Sequence, residues 1–146
     1  MTTFSAGQLA FLETQRAGRL ATASGDGAPH VVPVCYACDG ASLYIALDAK
    51  PKRVAPERLR RIRNILENPR VALVVDHYSD DWSQLAYLLI QGSAVLVRPE
   101  AAEHSRAIEL LRDRYAQYLV MPIEQQPVIA IRPTRVIAWP APKADR

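Results

Sequence analysis

Between Lys50 and Arg70 the chain reads Lys-Pro-Lys-Arg-Val-Ala-Pro-Glu-Arg-Leu-Arg-Arg-Ile-Arg-Asn-Ile-Leu-Glu-Asn-Pro-Arg. Seven basic side chains fall before Asn64: Lys50, Lys52, Arg53, Arg58, Arg60, Arg61 and Arg63. Glu57 and Glu67 alone oppose them. Guanidinium forks, ammonium groups and the positive end of a helix dipole gathered in one place make a receptor for an anion. The competing reading of such a run is a solvated basic face on a surface helix.

The other chemistry-bearing residues make weaker sets. Cys35-Tyr-Ala-Cys38 has the spacing of a zinc knuckle or redox pair. A structural zinc site needs a second pair of ligands, which the sequence does not hold, and a thioredoxin-like pair would open a helix. The spacing therefore reads as coincidence. His30, His77 and His104 are scattered, and of the three His30 has the best case for lying in a pocket. Asp80-Asp81 reads as a solvated turn, so no metal is expected. Nucleophile-elbow, Walker and dinucleotide-binding glycine motifs are absent, which argues against a triad hydrolase, a P-loop enzyme and a Rossmann dehydrogenase. Residues 50–70 contain no Phe, Tyr or Trp. Single-strand nucleic-acid binders stack bases on aromatics set among their basic residues, so a nucleic-acid partner is not expected.

Pro51 and Pro56 keep the first part of the basic stretch out of helix; from about Glu57 the pattern turns helical, and Pro69 ends it. Leu59, Ile62 and Leu66, with Ile65 beside them, form a docking face, which leaves Arg60, Arg61, Arg63 and Asn64 pointing sideways or outward. Before this helix, Ser5 and Gln8 form a capping-box signature for a first helix ending near Gly18. Strands are expected over 19–24, 30–36 and 42–47, with turns at Gly25-Asp26-Gly27 and Asp39-Gly40. Pro33 implies an edge or a bulge. After the helix come a buried strand at 70–77, a long strand at 85–97 with a break at Gly92, and a helix from Pro99 to about Tyr118. Ala102, Ala107, Leu110 and Leu111 are candidates for the buried face of that helix. A last strand pair pivots at Pro133. Six short strands, mostly hairpin-connected, with few helices between them suggest a mainly β fold, a closed or half-closed antiparallel barrel.

At 146 residues, 49% hydrophobic and 23% charged, the chain is expected to form a single domain over 1–140, with a disordered tail at 141–146. The net charge of +3 is concentrated in one segment, which favours a local anionic ligand over a long polyanion. No signal-peptide pattern or membrane-length apolar run is present, and two cysteines make no disulfide framework. A cytoplasmic protein without a membrane partner is expected.

The sequence resembles the pyridoxamine-phosphate-oxidase-like split β-barrel family, which binds flavin or deazaflavin nucleotides. The residues that carry the resemblance are Arg19-Leu-Ala-Thr-Ala23, Asp26-Gly-Ala-Pro-His-Val-Val-Pro-Val34, Leu43-Tyr-Ile-Ala46 and Arg60-Arg-Ile-Arg-Asn-Ile-Leu-Glu-Asn-Pro-Arg-Val-Ala-Leu73. They stand in the family's order over roughly the first half of the chain. Asp76-His-Tyr-Ser-Asp-Asp-Trp82 and Arg135-Val-Ile-Ala-Trp139 look most like the actinobacterial branch thought to use coenzyme F420. The resemblance implies a six-stranded split barrel, a homodimer with two cofactor sites at the subunit interface, and a phosphate anchor at Arg60 and Arg61, followed by Arg63 and Asn64. It implies that Thr22, His30, Pro33 and Val34 line the ring system and that Tyr44 and Ala46 sit beside the phosphate.

Two departures from the family bear on the cofactor. The loop from Asp48 to Glu57 is longer than the usual link, so Lys50, Lys52 or Arg53 can take an anion contact. Arg61 stands where lysine is common and would bind phosphate as a fork. A longer basic loop suits a cofactor with extra negative charge, and the oligoglutamate tail of F420 is such a group. The resemblance thus implies an F420-dependent oxidoreductase passing a hydride between the deazaflavin and a small organic acceptor. FMN is the alternative cofactor, and a carrier that binds the coenzyme without turnover is the alternative class. The ending Trp-Pro-Ala-Pro-Lys lacks the arginine-rich motif of true pyridoxamine-phosphate oxidases, which argues against vitamin B6 oxidation. No side-chain acid or base is singled out. Tyr78, Trp82, Tyr115, Tyr118 and Trp139 are candidates to wall the substrate side, or else core and interface aromatics.

Overall fold

The computed structural model describes residues 3–47 and 59–140. Lys50, Lys52, Arg53, Glu57, Arg58 and the tail 141–146, on which expectations were placed, lie outside the described residues.

Ser5 caps α1 (Ala6–Thr14) as expected: Gln8 N donates to its hydroxyl and Ser5 N donates to the Gln8 side chain, so two end groups are satisfied reciprocally. Then follow β1 (Gly18–Ala23), β2 (Pro29–Val34), β3 (Ala37–Cys38), β4 (Leu43–Ala46), α2 (Arg60–Glu67), β5 (Arg70–His77), β6 (Ala86–Val97), α3 (Ala102–Arg114) and β7 (Val128–Trp139). The β1–β2 turn uses Gly27 at φ +89°, a backbone state other residues resist. The strands make one antiparallel sheet in the order β2-β1-β5-β6-β7-β4-β3, curled into a split barrel.

The sheet has seven strands, where six were expected. β3 is only two residues long, too short to leave a period in the sequence. The expected last pair is one continuous strand, β7. Its pairing with β6 slips one residue between Gln91 and Gly92, opposite Pro133. Gly92 is required there: a Cβ would meet Arg132 O at 2.3 Å. A bulge also suits a proline, which has no N–H for the ladder.

Two apolar clusters share the wall made by β4 and the start of β7. Leu43, Ile45, Ile129 and Ile131 face the barrel interior with Leu20, Leu73 and Ile90. Tyr44, Ala46, Val128 and Ala130 face α3. The α3 helix ends at Arg114, earlier than expected, and buries His104, Ala107, Ile108 and Leu111; Ala102 is exposed and Leu110 half-buried. It stops because Tyr115 turns inward, where its hydroxyl donates to Tyr36 O and accepts from Tyr36 N. No helix among the described residues is long and apolar enough to cross a membrane.

Candidate functional site

The site is organised by α2, which lies against β1 with Ile62 and Ile65 buried and Leu59 half-buried. Leu66, expected on that face, is 58% exposed. Asn64, expected to point outward, takes the inward place and is 1% exposed. The reason is a partner across the sheet: Asn64 Nδ2 donates to Thr22 Oγ1 at 3.0 Å, and Thr22 is itself buried. A buried carboxamide is tolerated only where such a partner exists.

Arg60 and Arg61, about 100° apart around the helix axis, open onto two different cavities. Arg61 lines one of about 190 Å³ with Ala17, Pro33, Val34, Cys35, Ile45, Ala46 and Tyr118. Arg60 lines one of about 610 Å³ with Ser24, Asp26, Ala28, Pro29, His30 and Glu67. The fold therefore brings Pro33, Val34, Ala46 and Arg61 together and sets His30 with Arg60. Thr22 and Asn64 lie buried against each other, and Arg63 is exposed outside both linings. Tyr44 goes elsewhere. Its ring is buried against α3, and its hydroxyl lies 2.7 Å from Glu103 Oε2 and 2.9 Å from Asp39 Oδ2.

The electrostatics of the two cavities differ. Arg60, Arg61 and Arg63 have no hydrogen bond or ion pair among the described residues; for the exposed Arg60 and Arg63 this is ordinary, but Arg61 is half-buried, where charge neutralisation is the rule. In Arg60's cavity, the Ser24 hydroxyl and then the Ala28 backbone hold the Asp26 carboxyl below its ordinary range, so it stays ionised. Glu67 Oε2 accepts from Gly25 N beside it. Two carboxylates make that cavity a poor host for an anion. Arg61's cavity has none among the described residues. It joins one guanidinium to apolar walls, the combination that suits an anionic group at one end of a flat or aliphatic body.

Among the described residues, three buried side-chain polar atoms lack a hydrogen-bond partner: His30 Nδ1, Arg61 Nε and Asn64 Oδ1. All three sit on α2 or on β2, the strand paired with β1. They do not form one cluster: His30 lines Arg60's cavity, Arg61 the other, and Asn64 is buried against Thr22. In Arg61's cavity the unpartnered Nε–H fits an anionic oxygen such as that of a phosphate.

Cys35, Ile45 and Ala17 were not foreseen as lining residues. Cys35 follows Val34 directly, and continuing the β2 lining by one residue would have found it. The two cysteines stand apart, as expected. Cys35 packs towards α3 and Cys38 towards the barrel interior, and both thiols are free. Of the aromatics, Tyr118 lines Arg61's cavity and Tyr115 is core. Trp139 lines a third, apolar cleft of about 220 Å³ with Phe11, Tyr87 and Leu88, while Tyr78 and Trp82 are exposed. Among the described residues no group of His, Cys, Asp and Glu could hold a metal ion.

Residues 5–140 match the family model described as pyridoxamine 5'-phosphate oxidase. The chain belongs to the pyridoxamine 5'-phosphate oxidase family. Within reach of that family, it is 37% identical over 73 residues to a 5a,11a-dehydrotetracycline/5a,11a-dehydrooxytetracycline reductase of Streptomyces rimosus, covering 50% of this chain and 49% of the relative. The chain thus spans about half the length of this curated relative. Among solved structures, one described as an F420 reductase is 28% identical, covers 92% of this chain and 98% of its own, and superposes with a TM-score of 0.66. A heme storage protein of Vibrio cholerae shares the fold at a TM-score of 0.72 with 15% identity, covering 88% of this chain and 89% of its own. The family's split barrel is thus shared by proteins described by different cofactors, and the decision between cofactors rests on side chains.

Proposed function

We propose that this protein is a coenzyme F420-dependent oxidoreductase that exchanges a hydride between the deazaflavin and a small organic acceptor. The observation that carries this reading is Arg61: a guanidinium with an unpartnered buried Nε, in a largely apolar cavity with no carboxylate among the described residues. Similarity to an F420 reductase over nearly the whole of both chains, and to a tetracycline-type reductase over half, supports the same direction. The cofactor supplies the hydride chemistry when bound. The chain's own residues then bind and orient it: Arg61 holds the anionic end, and Pro33, Val34 and Ala46 present apolar surface and keep water from it. FMN is the alternative occupant, because it shares the phosphate that Arg61 would hold.

The working unit is a homodimer in this reading. A cavity of about 190 Å³ is below the usual range of ~300–1,000 Å³ for a cofactor site, so a second surface would have to complete it. The outer face of the sheet offers one. Val74, Leu89 and Ile137 stand in register across β5, β6 and β7, with Tyr87 and Trp139 in the next row. All five point away from the barrel core, and Trp139 is 56% exposed. A contiguous apolar patch of this kind marks an interface. A monomer by light scattering at micromolar concentration would remove the shared-site model.

The deciding experiment is equilibrium binding of F420 and of FMN to the purified protein and to Arg61→Ala. Loss of one charge-assisted contact should weaken binding roughly ten- to a hundredfold. Tighter binding of F420, lost in the variant, supports the reading. Preference for FMN moves the assignment to the alternative, and binding of neither leaves the basic segment a solvated face. Reduced F420 with quinones or activated enones then separates enzyme from carrier: protein-dependent oxidation identifies the enzyme, and binding without turnover the carrier.

A further inference from the structure

Arg60 and Arg61 are adjacent in sequence yet open onto cavities of opposite character, one holding Asp26 and Glu67, the other apolar. A short helix on a sheet can rotate about its axis, and a turn of about 100° would exchange the two arginines between cavities. Burial of Ile62 and Ile65 sets which face of α2 meets the sheet, but hydrophobic contact is not directional and fixes less strictly the smaller rotations that would already swing both guanidiniums away from their cavities. Two directional contacts join α2 to the β1–β2 hairpin: Glu67 Oε2 accepts from Gly25 N at the exposed turn, and Asn64 reaches β1 itself in the buried layer. Asn64 lies three residues after Arg61 and four after Arg60, so it stands under both on the same side of the helix. Its Nδ2 donates to Thr22 Oγ1 at 3.0 Å, with Asn64 1% and Thr22 4% exposed. Thr22 is the penultimate residue of the β1–β2 ladder, opposite His30. No other side-chain hydrogen bond from α2 to β1 occurs among the described residues.

We infer that the Asn64–Thr22 hydrogen bond is the positioning device of the site. It fixes the rotation of α2 on β1 and so delivers Arg61 to the apolar cavity and Arg60 to the acidic one. Asn64 and Thr22 are positioning residues and touch no ligand. Their effect reaches the cofactor through where the guanidiniums point. This inference rests on the proposed anion-holding role of Arg61.

The test compares cofactor affinity with stability in Thr22→Val, Asn64→Leu and the double variant, alongside Thr22→Ser, Arg61→Ala and the core control Ile62→Val. F420 and FMN are the probes, and the melting temperature is read for each protein. Thr22→Val and Asn64→Leu should each weaken binding roughly tenfold, and the double variant by no more than either alone, since one bond is removed in all three. Thr22→Ser keeps the hydroxyl and should bind like the wild type. Ile62→Val should lower the melting temperature without moving affinity. The inference is overturned if the Thr22 and Asn64 variants bind like the wild type while Arg61→Ala does not, in which case the role of Arg61 stands alone. It is equally overturned if Ile62→Val weakens binding as much per degree of lost stability. If the wild type binds neither probe, the anion-holding role of Arg61 fails first and the inference falls with it. Should Asn64→Leu not fold, Thr22→Val against Thr22→Ser decides the question.

Discussion

The two helical ends of the molecule use arginine in opposite ways. At the α1–α3 end Arg114, Arg112 and Arg132 are all engaged. Arg114, 9% exposed, donates to the carbonyl oxygens of Leu12, Glu13 and Gln15, and its guanidinium lies 4.9 Å from the Tyr36 ring centre. Arg112 donates to Tyr118 O and Met121 O and pairs with Glu124. Arg132 pairs with Glu103 and donates to Ser42 Oγ. At the α2 end, Arg60, Arg61 and Arg63 have no such partner among the described residues. The comparison teaches that residue type says little about role. An arginine that caps carbonyls and stacks on rings joins two elements together, whereas one left with a free N–H is available to a ligand.

The sharpest way to break this contrast is to remove one arginine from each end. Arg114→Ala removes a donor from three helix-end carbonyls, of which Leu12 O and Gln15 O keep the Tyr36 hydroxyl, and should cost about 2 kcal/mol, lowering Tm by roughly 6 °C in thermal denaturation. Arg61→Ala should change stability by no more than about 0.5 kcal/mol, because it removes no contact. Equal losses would show that Arg61 is structural after all.

A smaller effect should follow from Glu103→Gln. The Arg132 guanidinium, with help from the Tyr44 hydroxyl and against the opposing effect of burial, holds the Glu103 carboxyl at about 2, below its ordinary 4.5. A carboxyl depressed on folding adds stability above its unfolded value and loses it as pH falls towards the folded one. The wild type should therefore lose stability between about pH 4.5 and pH 2, and Glu103→Gln should flatten that part of the acid limb. For a half-exposed pair the loss at neutral pH should be about 1 kcal/mol. An unchanged acid limb would mean that the pair contributes nothing and that α3 is held by apolar packing alone.

The smallest effect is kinetic and compares the two thiols. Burial pushes the Cys38 thiol up to about 11, so at neutral pH it is almost all protonated. Cys35 opens onto the Arg61 cavity. Iodoacetamide should modify Cys35 first, and bound cofactor should slow that reaction without affecting Cys38. Mass spectrometry of the tryptic peptides reads both rates. Faster modification of Cys38 would contradict the placement of the two side chains on opposite sides of the wall.

Much of the barrel was legible because local signals agreed with it. The capping box at Ser5, the bounds of β5 and the break at Gly92 follow from neighbours within a few residues. What escaped depends on distant partners. Asn64 reads as surface-seeking by polarity, and only Thr22, 42 residues away, makes burial tolerable. Leu66 reads as core by apolarity, yet the inward place beside Ile62 and Ile65 is already taken. The end of α3 is set by Tyr115 reaching Tyr36 on the other side of the fold. Of the candidate site, Arg61, Pro33, Val34 and Ala46 converge as the sequence suggested. Tyr44 does not: it shares the α3-facing side of β4 with Ala46, but its long side chain carries the hydroxyl to Glu103 and Asp39, while Ala46 at the strand end borders the cavity.

The shared wall of β4 and the start of β7 bears on how such a protein can change over generations. Residues 43–46 and 128–131 are buried on both faces. A substitution there must satisfy two packing problems at once, and neighbouring positions cannot compensate for one another because they look into different cores. Sequence drift should therefore be slowest in these eight positions and fastest in the exposed Tyr78–Gln84 loop. A lineage built on this scaffold can exchange substrates by altering what surrounds the wall, while the wall itself is inherited nearly unchanged.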